Sequence, residues 1–376
     1  MLDLGKIREE IDSIDSRIVE LFEERMKLAE EVAEFKIETG KAVFDKQREE
    51  EKLITLAGKA SSDFNACGVQ ELFSHIMSIS RKRQYQLLAE HGREPELGYE
   101  LVEKLPVDHA RVVFQGVEGA YSFAAMHTYF GKDIDSFHVK TFKDAMEAIR
   151  GGKADYAVLP IENSTAGSVQ DNYDLLAEYE HSIVGEQIIQ IDHALLGVRG
   201  ASLQDIRSVT SHPQALAQCR KYLESHPDWE QREFLNTALA AKQVAEEQDK
   251  GRAAIASRYA AEYFGLEVLN EEPLSQEGNS TRFIIVSGHH IYTPEASKIS
   301  ICLELPHRSG TLYNILSHFI YNNLNMTKIE SRPIPERNWE YRFFVDFEGN
   351  LNESAVKNAL LGIEQEAVSL RVLGNY

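Results

Sequence analysis

Apolar side chains recur along the start of the chain at Leu4, Ile7, Ile11, Ile14, Ile18 and Leu21, then at Leu28, Val32 and Phe35. This alternation of three and four is the seam of a long helix that packs against other helices. Residues 1 to about 90 read as helix throughout, with breaks near Thr39-Gly40 and around Gly58 to Gly68. Where the seam asks for another apolar residue after Leu21 it holds Arg25. In the third helical segment Leu72, Phe73, Ile76 and Met77 define a face that continues through Ser80 and Gln84 to Leu87 and Leu88. In the second, Asp45, Arg48 and Glu49 share one face. A polar stretch, 91–110, has two prolines and weak periodicity and reads as a linker.

From Arg111 short β-rich runs alternate with helical ones: RVVFQG and AYSFAAMHTYF, YAVLPIE and a polar loop, SVTSHP and QALAQCRKYL, AAIAS and RYAAEYF. That alternation predicts an α/β domain over 111–288 with largely parallel strands. From Lys298 the pattern changes again. Ile299, Ile301, Leu303 and Leu305 alternate as a half-buried strand, and a helix from Gly310 follows. Strands at 326–332 and 341–347, a helix at 353–366 and the strand SLRVLG complete the order βαββαβ, a ferredoxin-like unit over 298–376.

The formal charge of −20 argues against nucleic acid and anionic membrane as partners, and it requires a locally basic pocket for any anionic substrate. Cys67, Cys219 and Cys302 lie far apart, so neither a disulfide framework nor a zinc site is expected, and no metal or other cofactor is called for. The N-terminus has no signal-peptide core and no apolar run reaches membrane-spanning length, so a cytoplasmic protein is expected.

Candidate chemistry begins with the polar residues on buried helical faces. One polar seam residue can simply fix register or oligomeric state. Arg25, Lys36, Arg48 and Arg8 together, however, exceed the nearby acids, and buried cations need partners that a dianionic small molecule would supply. Arg25 and Lys36 are about three turns apart on nearly the same side of the helix. Arg8 lies roughly 25 Å from Arg25 along the axis and about 100° around it. Either Arg8 is unrelated to the pocket, or it enters the pocket of a second copy of the chain.

The series Arg8, Arg25, Lys36, Asp45, Arg48, Glu49, Ser80, Gln84 resembles the all-helical chorismate mutase domain, a dimer of three-helix chains. The resemblance implies that Arg8 of one chain completes the partner's pocket, and that Arg8, Arg25 and Arg48 hold two carboxylates. It further implies that Asp45 and Glu49 handle the ring hydroxyl, and that Lys36 and Gln84 donate to the ether oxygen as chorismate becomes prephenate.

In the α/β zone the β runs end in small polar residues: FQGVEGAYS (114–122), PIENSTAGS (160–168), TSHPQ (210–214) and EGNSTRF (277–283). Loops after the strands of such sheets line the ligand crevice, and their amides and hydroxyls suit carboxylates. Singly each has a plain reading. Ser211 with Gln214 is a capping box, and GVEG is a tight turn that is neither a dinucleotide fingerprint nor a P-loop. As a set these segments resemble prephenate dehydratase, whose fold is two α/β lobes with the site between them. The resemblance implies loss of water and carbon dioxide from prephenate to give phenylpyruvate, with Thr281 hydrogen-bonding to the departing hydroxyl. By the same resemblance Asn163, Ser211 and Gln218 match positions proposed for binding or proton delivery, Arg282 is a candidate carboxylate anchor, and Ser122, Ser164, Thr165 and Phe283 complete the candidate site.

The C-terminal βαββαβ unit is similar to an ACT-type regulatory domain, which binds phenylalanine between paired copies. The matching segments are Gly310-Thr311-Leu312 and Glu330-Ser331-Arg332-Pro333, with Thr311 standing where that family usually has alanine. The whole is thus expected to be a homodimer or higher homo-oligomer acting on chorismate and prephenate under phenylalanine control. The competing expectation is a non-catalytic dimeric amino-acid-binding sensor.

Overall fold

A computed structural model describes residues 3–92, 97–270, 274, 278–335 and 337–376. Part of the expected linker (93–96) and Glu277 of the EGNSTRF stretch lie outside the described residues. The chain divides into two compact units, Met1–Leu97 with Ile301–Val372, and Gly98–Ser300 with Leu373–Tyr376.

In the first unit three helices span Leu4–Thr39, Lys46–Ala57 and Asp63–Glu90. Each begins at an acceptor side chain. Asp3 accepts from the Gly5 and Lys6 amides, Asp45 from Arg48, and Ser62 from Asn65, supplying acceptors for donors that helix starts leave unpaired. Gly40 ends the first helix in the left-handed region, φ 73°. Gly68, expected in a break, lies inside the third helix, because Ser62 caps that helix six residues earlier. Along the first helix Ala29 and Ala33 are buried, whereas the apolar stripe is bare: Ile11, Ile14 and Ile18 are each about half exposed.

The C-terminal part of the chain, most of it in this unit, runs strand Lys298–Glu304, helix Thr311–Tyr321, strands Met326–Pro333 and Tyr341–Glu348, helix Ser354–Glu366, strand Ser369–Asn375. Across the sheet the order is Met326–Pro333, Tyr341–Glu348, Lys298–Glu304, Ser369–Asn375. The expected βαββαβ order is present.

Two larger sheets lie in the second unit. One orders its strands Ser182–Gln190, Ser280–Ser287, Tyr156–Asn163, Arg111–Gln115, Asp135–Val139. The other runs Glu267–Val268, His193–Gly197, Arg252–Ser257, Ser208–Ser211, Glu230–Glu233. Each is mixed, which corrects the expectation of largely parallel strands. Ser280–Ser287 runs antiparallel to both its neighbours, and His193–Gly197 runs antiparallel to Arg252–Ser257. An antiparallel neighbour needs no helical crossover, so these strands fall outside the alternating pattern. The expected linker also contributes a short strand, Glu100–Leu101, paired with Ile291–Tyr292. The GVEG turn places Gly119 at φ 81° against the Ser257–Ala260 turn, where an added Cβ would lie 3.1 Å from Ala260 Cα. No helix among the described residues is long and apolar enough to cross a membrane.

Candidate active sites

The helical site is assembled from all three helices. Lys36 Nζ donates to the Val43 carbonyl at 2.7 Å and to Gln84 Oε1 at 3.1 Å, and Gln84 Nε2 donates to the Ser80 carbonyl at 3.3 Å. Ser80 and Gln84 are buried. Burial pushes the Arg25 guanidinium pKa down, opposed by Glu49. It pushes Lys36 down too, opposed by Asp45 and Glu49. Five of the expected residues, Arg25, Lys36, Glu49, Ser80 and Gln84, therefore share one neighbourhood, with Asp45 in electrostatic reach of Lys36. Arg25 Nη1 is buried without a hydrogen-bond partner among the described residues. Both hydrogen bonds of Lys36 go to uncharged oxygens. Asp45 is the N-cap of the second helix, and Arg48 is exposed. Arg8 is exposed near the far end of the first helix, so this copy of the chain does not bring it to Arg25.

Sequence reasoning missed Arg81. This buried side chain pairs with Glu49 and, through Nε, with Glu366 Oε1 at 2.9 Å. Arg81 follows Ser80 on the flank of the face already identified, but it stands in the basic run Arg81-Lys82-Arg83, which masks it.

In the second unit a cavity of about 330 Å³ is lined by Tyr121, Asn163, His193, Gln218, Asn236 and Thr281, among others. Thr281 and Asn163 are cross-strand partners, so their side chains meet. The two hydrogens of Asn163 Nδ2 are shared among three acceptors, Thr281 Oγ1 (2.9 Å), Asn279 Oδ1 (2.9 Å) and the Ser280 carbonyl (3.1 Å). Asn163 Oδ1 accepts from the Thr165 and Ala166 amides and from the Thr165 hydroxyl. Among the described residues Thr281 donates its own hydroxyl hydrogen to no protein acceptor.

Gln218 extends the network. Its Nε2 donates to Thr165 Oγ1 at 3.3 Å and its Oε1 lies 2.9 Å from His193 Nε2, while His193 Nδ1 lies 3.0 Å from the Tyr121 hydroxyl. Burial lowers the His193 pKa, partly offset by the Gln218 hydrogen bond and Asp192. It raises that of Tyr121. Neither residue was expected at the site. The run HALLG offered only a polar residue at a strand start, and nothing in it pointed to a cavity.

Other expected residues go elsewhere. The Ser164 hydroxyl donates to the Gly278 carbonyl at 3.1 Å and accepts from the Ser280 amide, tying two loops together. Ser122 Oγ donates to the Gln115 carbonyl and Ser211 Oγ to the Ile255 carbonyl, both as buried braces. The capping-box reading of Ser211 with Gln214 is corrected. His212 is the N-cap of the helix Pro213–Gln218, its Nδ1 accepting from the Gln214 amide, because Pro213 occupies the first helical position. Arg282 is also corrected as an anchor in this cavity. Next to Thr281 on one strand, it faces the other side and meets Glu186 at 3.4 Å and Glu162 at 3.9 Å. Phe283 belongs to the core with Phe114, Val158 and Ile285.

Of the expected effector residues, Gly310 (φ 79°) is the N-cap of the helix Thr311–Tyr321, and the Thr311 hydroxyl donates to the Arg308 carbonyl at 3.1 Å. Leu312 is partly buried in that helix's first turn. Glu330 and Arg332 lie on the half-buried face of Met326–Pro333, with Ser331 on the opposite face. A hollow of about 950 Å³ in this unit includes Gly310 with Leu53, Ile54, His75, Tyr313 and Asn314, but no described residue of that strand. Among the described residues no cluster of three His, Cys, Asp or Glu could hold a metal ion.

Comparison with known proteins gives two family matches along the chain. A family model described as Chorismate mutase type II matches residues 7–85, and one described as Prephenate dehydratase matches 112–291. A bifunctional chorismate mutase/prephenate dehydratase of Enterobacter agglomerans is 34% identical over 98% of this chain and 95% of its own length. Among solved structures, a prephenate dehydratase from Arthrobacter aurescens in complex with L-Phe superposes with a TM-score of 0.65 at 31% identity, covering 71% of this chain and 89% of that one. GqqA, described as a novel type of quorum quenching acylase, gives 0.65 at 32%, covering 71% and 97%.

Proposed function

The chain belongs to the bifunctional chorismate mutase/prephenate dehydratase family, and we propose that its two candidate sites divide the two reactions between them. The family carries both activities, which displaces the sensor alternative.

In the helical site the rearrangement of chorismate to prephenate needs no nucleophile or proton transfer. It needs a fixed diacid and donors at the ether oxygen, where charge grows as the bond breaks. An ammonium has three hydrogens and Lys36 has used two, so one remains for the substrate. Gln84 Nε2 has used one of two. Arg25 and Arg48 take the carboxylates, for which guanidinium forks suit, and Glu49 with Asp45 holds the ring hydroxyl. Arg8 comes from a second copy, whose first helix covers the bare apolar stripe. The single observation that carries this half is the buried, unpartnered Nη1 of Arg25.

In the second unit prephenate occupies the cavity at Thr281. Aromatisation drives the loss of carbon dioxide and hydroxide, so the protein need only orient the carboxylates and assist the departing oxygen. Asn163 holds Thr281 by donating to it, which turns the hydroxyl hydrogen toward the substrate. Gln218, held by His193, fixes Thr165 beside them. Asn236 caps the helix Thr237–Glu247 at the cavity wall, an N-terminus suited to a carboxylate. Thr281's uncommitted hydrogen carries this half.

The C-terminal βαββαβ part is read as an ACT-type domain that binds phenylalanine with Gly310, Thr311, Leu312, Glu330, Ser331 and Arg332 and inhibits the dehydratase. The enzyme is placed in the cytoplasm. The test is to supply chorismate to purified protein and follow prephenate and phenylpyruvate, with and without phenylalanine. Sequential appearance of both, with the second slowed by phenylalanine, is expected. Chorismate left unconsumed would refute the mutase site, stalled prephenate the dehydratase site, and indifference to phenylalanine the effector site.

A further inference from the structure

Arg81 is a buried cation that the mutase reading does not use. It lies on the third helix, its side chain 6% exposed, in contact with two carboxylates that are far apart in sequence. Nη1 donates to Glu49 Oε2 and Nε to Glu366 Oε1, while the guanidinium carbon stands 4.8 Å from the centroid of the Phe44 ring. Glu366 ends the helix Ser354–Glu366 of the βαββαβ part, and its side chain is only 7% exposed. His318 Nε2 lies 3.3 Å from the same Glu366 oxygen. Around them Lys82 donates to Ser78 and Ser317, and the Tyr85 hydroxyl donates to Gln365 at 3.3 Å. A planar fork pinned at two of its nitrogens has one orientation, and each carboxylate is fixed by the other's hold on it.

We propose that Arg81 is a positioning residue for the mutase reaction, and that the βαββαβ part, through Glu366, sets how Glu49 is presented in the helical site. This rests on the reading of Glu49 as a substrate-binding residue. One Glu49 oxygen is occupied by Arg81, leaving the other for the substrate hydroxyl. Glu49 also lies within electrostatic reach of Arg25 and Lys36. Released from Arg81, its carboxylate would move onto those cations and compete with the substrate's own carboxylates. A loss at Glu366 thus reaches the mutase pocket without any contact between Glu366 and substrate.

The test uses the full-length chain, with its dehydratase activity as an internal reference for folding. E366Q is expected to lower mutase kcat/KM about tenfold, mainly by raising KM, the cost of a modest misplacement. Dehydratase turnover in the same preparation is expected to stay unchanged. R81K, which keeps the charge but cannot fork between both acids, is expected to show the same KM defect. In an E49Q background E366Q is expected to add no more than roughly twofold, because the two changes act through one group.

Full mutase activity in E366Q would overturn the proposal, as would an effect that persists undiminished in E49Q. Parallel loss of both activities would show a general folding role and overturn it as well. Wild-type mutase kinetics in E49Q alone would instead remove Glu49 from the site and sink the reading beneath the proposal. The two failures are therefore distinct.

Discussion

Replacing Thr281 with valine removes one hydroxyl and preserves shape. Thr281 is 8% exposed, and its oxygen accepts a hydrogen bond from Asn163 Nδ2 at 2.9 Å. Asn163 Nδ2 keeps two other acceptors, Asn279 Oδ1 and the Ser280 carbonyl, so the substitution strands no buried donor. The stability cost is therefore that of one net hydrogen bond, about 1 kcal/mol. The catalytic cost is different in kind. If the hydroxyl hydrogen meets the departing oxygen, its loss removes a preorganised donor, a change of about 10²–10³ in kcat, or roughly 3–4 kcal/mol. The assay is the appearance of phenylpyruvate from prephenate, with mutase rate and melting temperature measured on the same protein. Dehydratase kcat should fall by that factor with mutase intact, and T281S should recover most of it. Full dehydratase turnover in T281V would refute the reasoning, and so would equal loss of both activities.

Q84E should move mutase activity toward acidic pH, since a glutamate donates to the ether oxygen only when protonated; a pH–rate profile like that of the wild type would count against Gln84 as donor. Burial lowers the Lys36 pKa. Its ammonium is thus lost, and mutase kcat/KM should fall, as pH rises through a value below the ordinary lysine range of about 10.4; a rate still level in that range would remove Lys36. I11D/I18D, on the bare stripe of the first helix, should give monomers in sedimentation, with mutase lost and dehydratase retained. A dimer that persists would mean that another surface joins the copies.

Much of this was legible because helical periodicity is a strong signal. The seam from Leu4 to Phe35 made Arg25 conspicuous, and the face through Ser80 and Gln84 led to one of the two partners of Lys36, Gln84. Arg81 is hidden because it reads as one of three consecutive basic residues, Arg81, Lys82 and Arg83, an ordinary solvated run. Its acid partner Glu366 is invisible at a separation of 285 residues. In the second unit strand parity carries a signal of its own: Thr281 and Arg282 are neighbours on one strand and cannot face the same cavity. Pro213 likewise fixes the helix start two residues past Ser211. His193 could not be read at all, and Tyr121 was legible only as one member of the FQGVEGAYS segment. They meet because a strand start and a helix start converge in space, and neither run has a pattern of its own that says so.

The proposed mutase site is a half-buried cationic pocket that takes its counter-charge from the substrate. Calorimetric titration of the empty enzyme with an unreactive cyclic dicarboxylate ether, in wild type and R25M, addresses this directly. Wild type should bind one molecule per chain, and R25M should bind at least about a hundredfold more weakly, as expected when one member of a desolvated charge pair is removed. Equal binding by the two proteins, or none by the wild type, would contradict it.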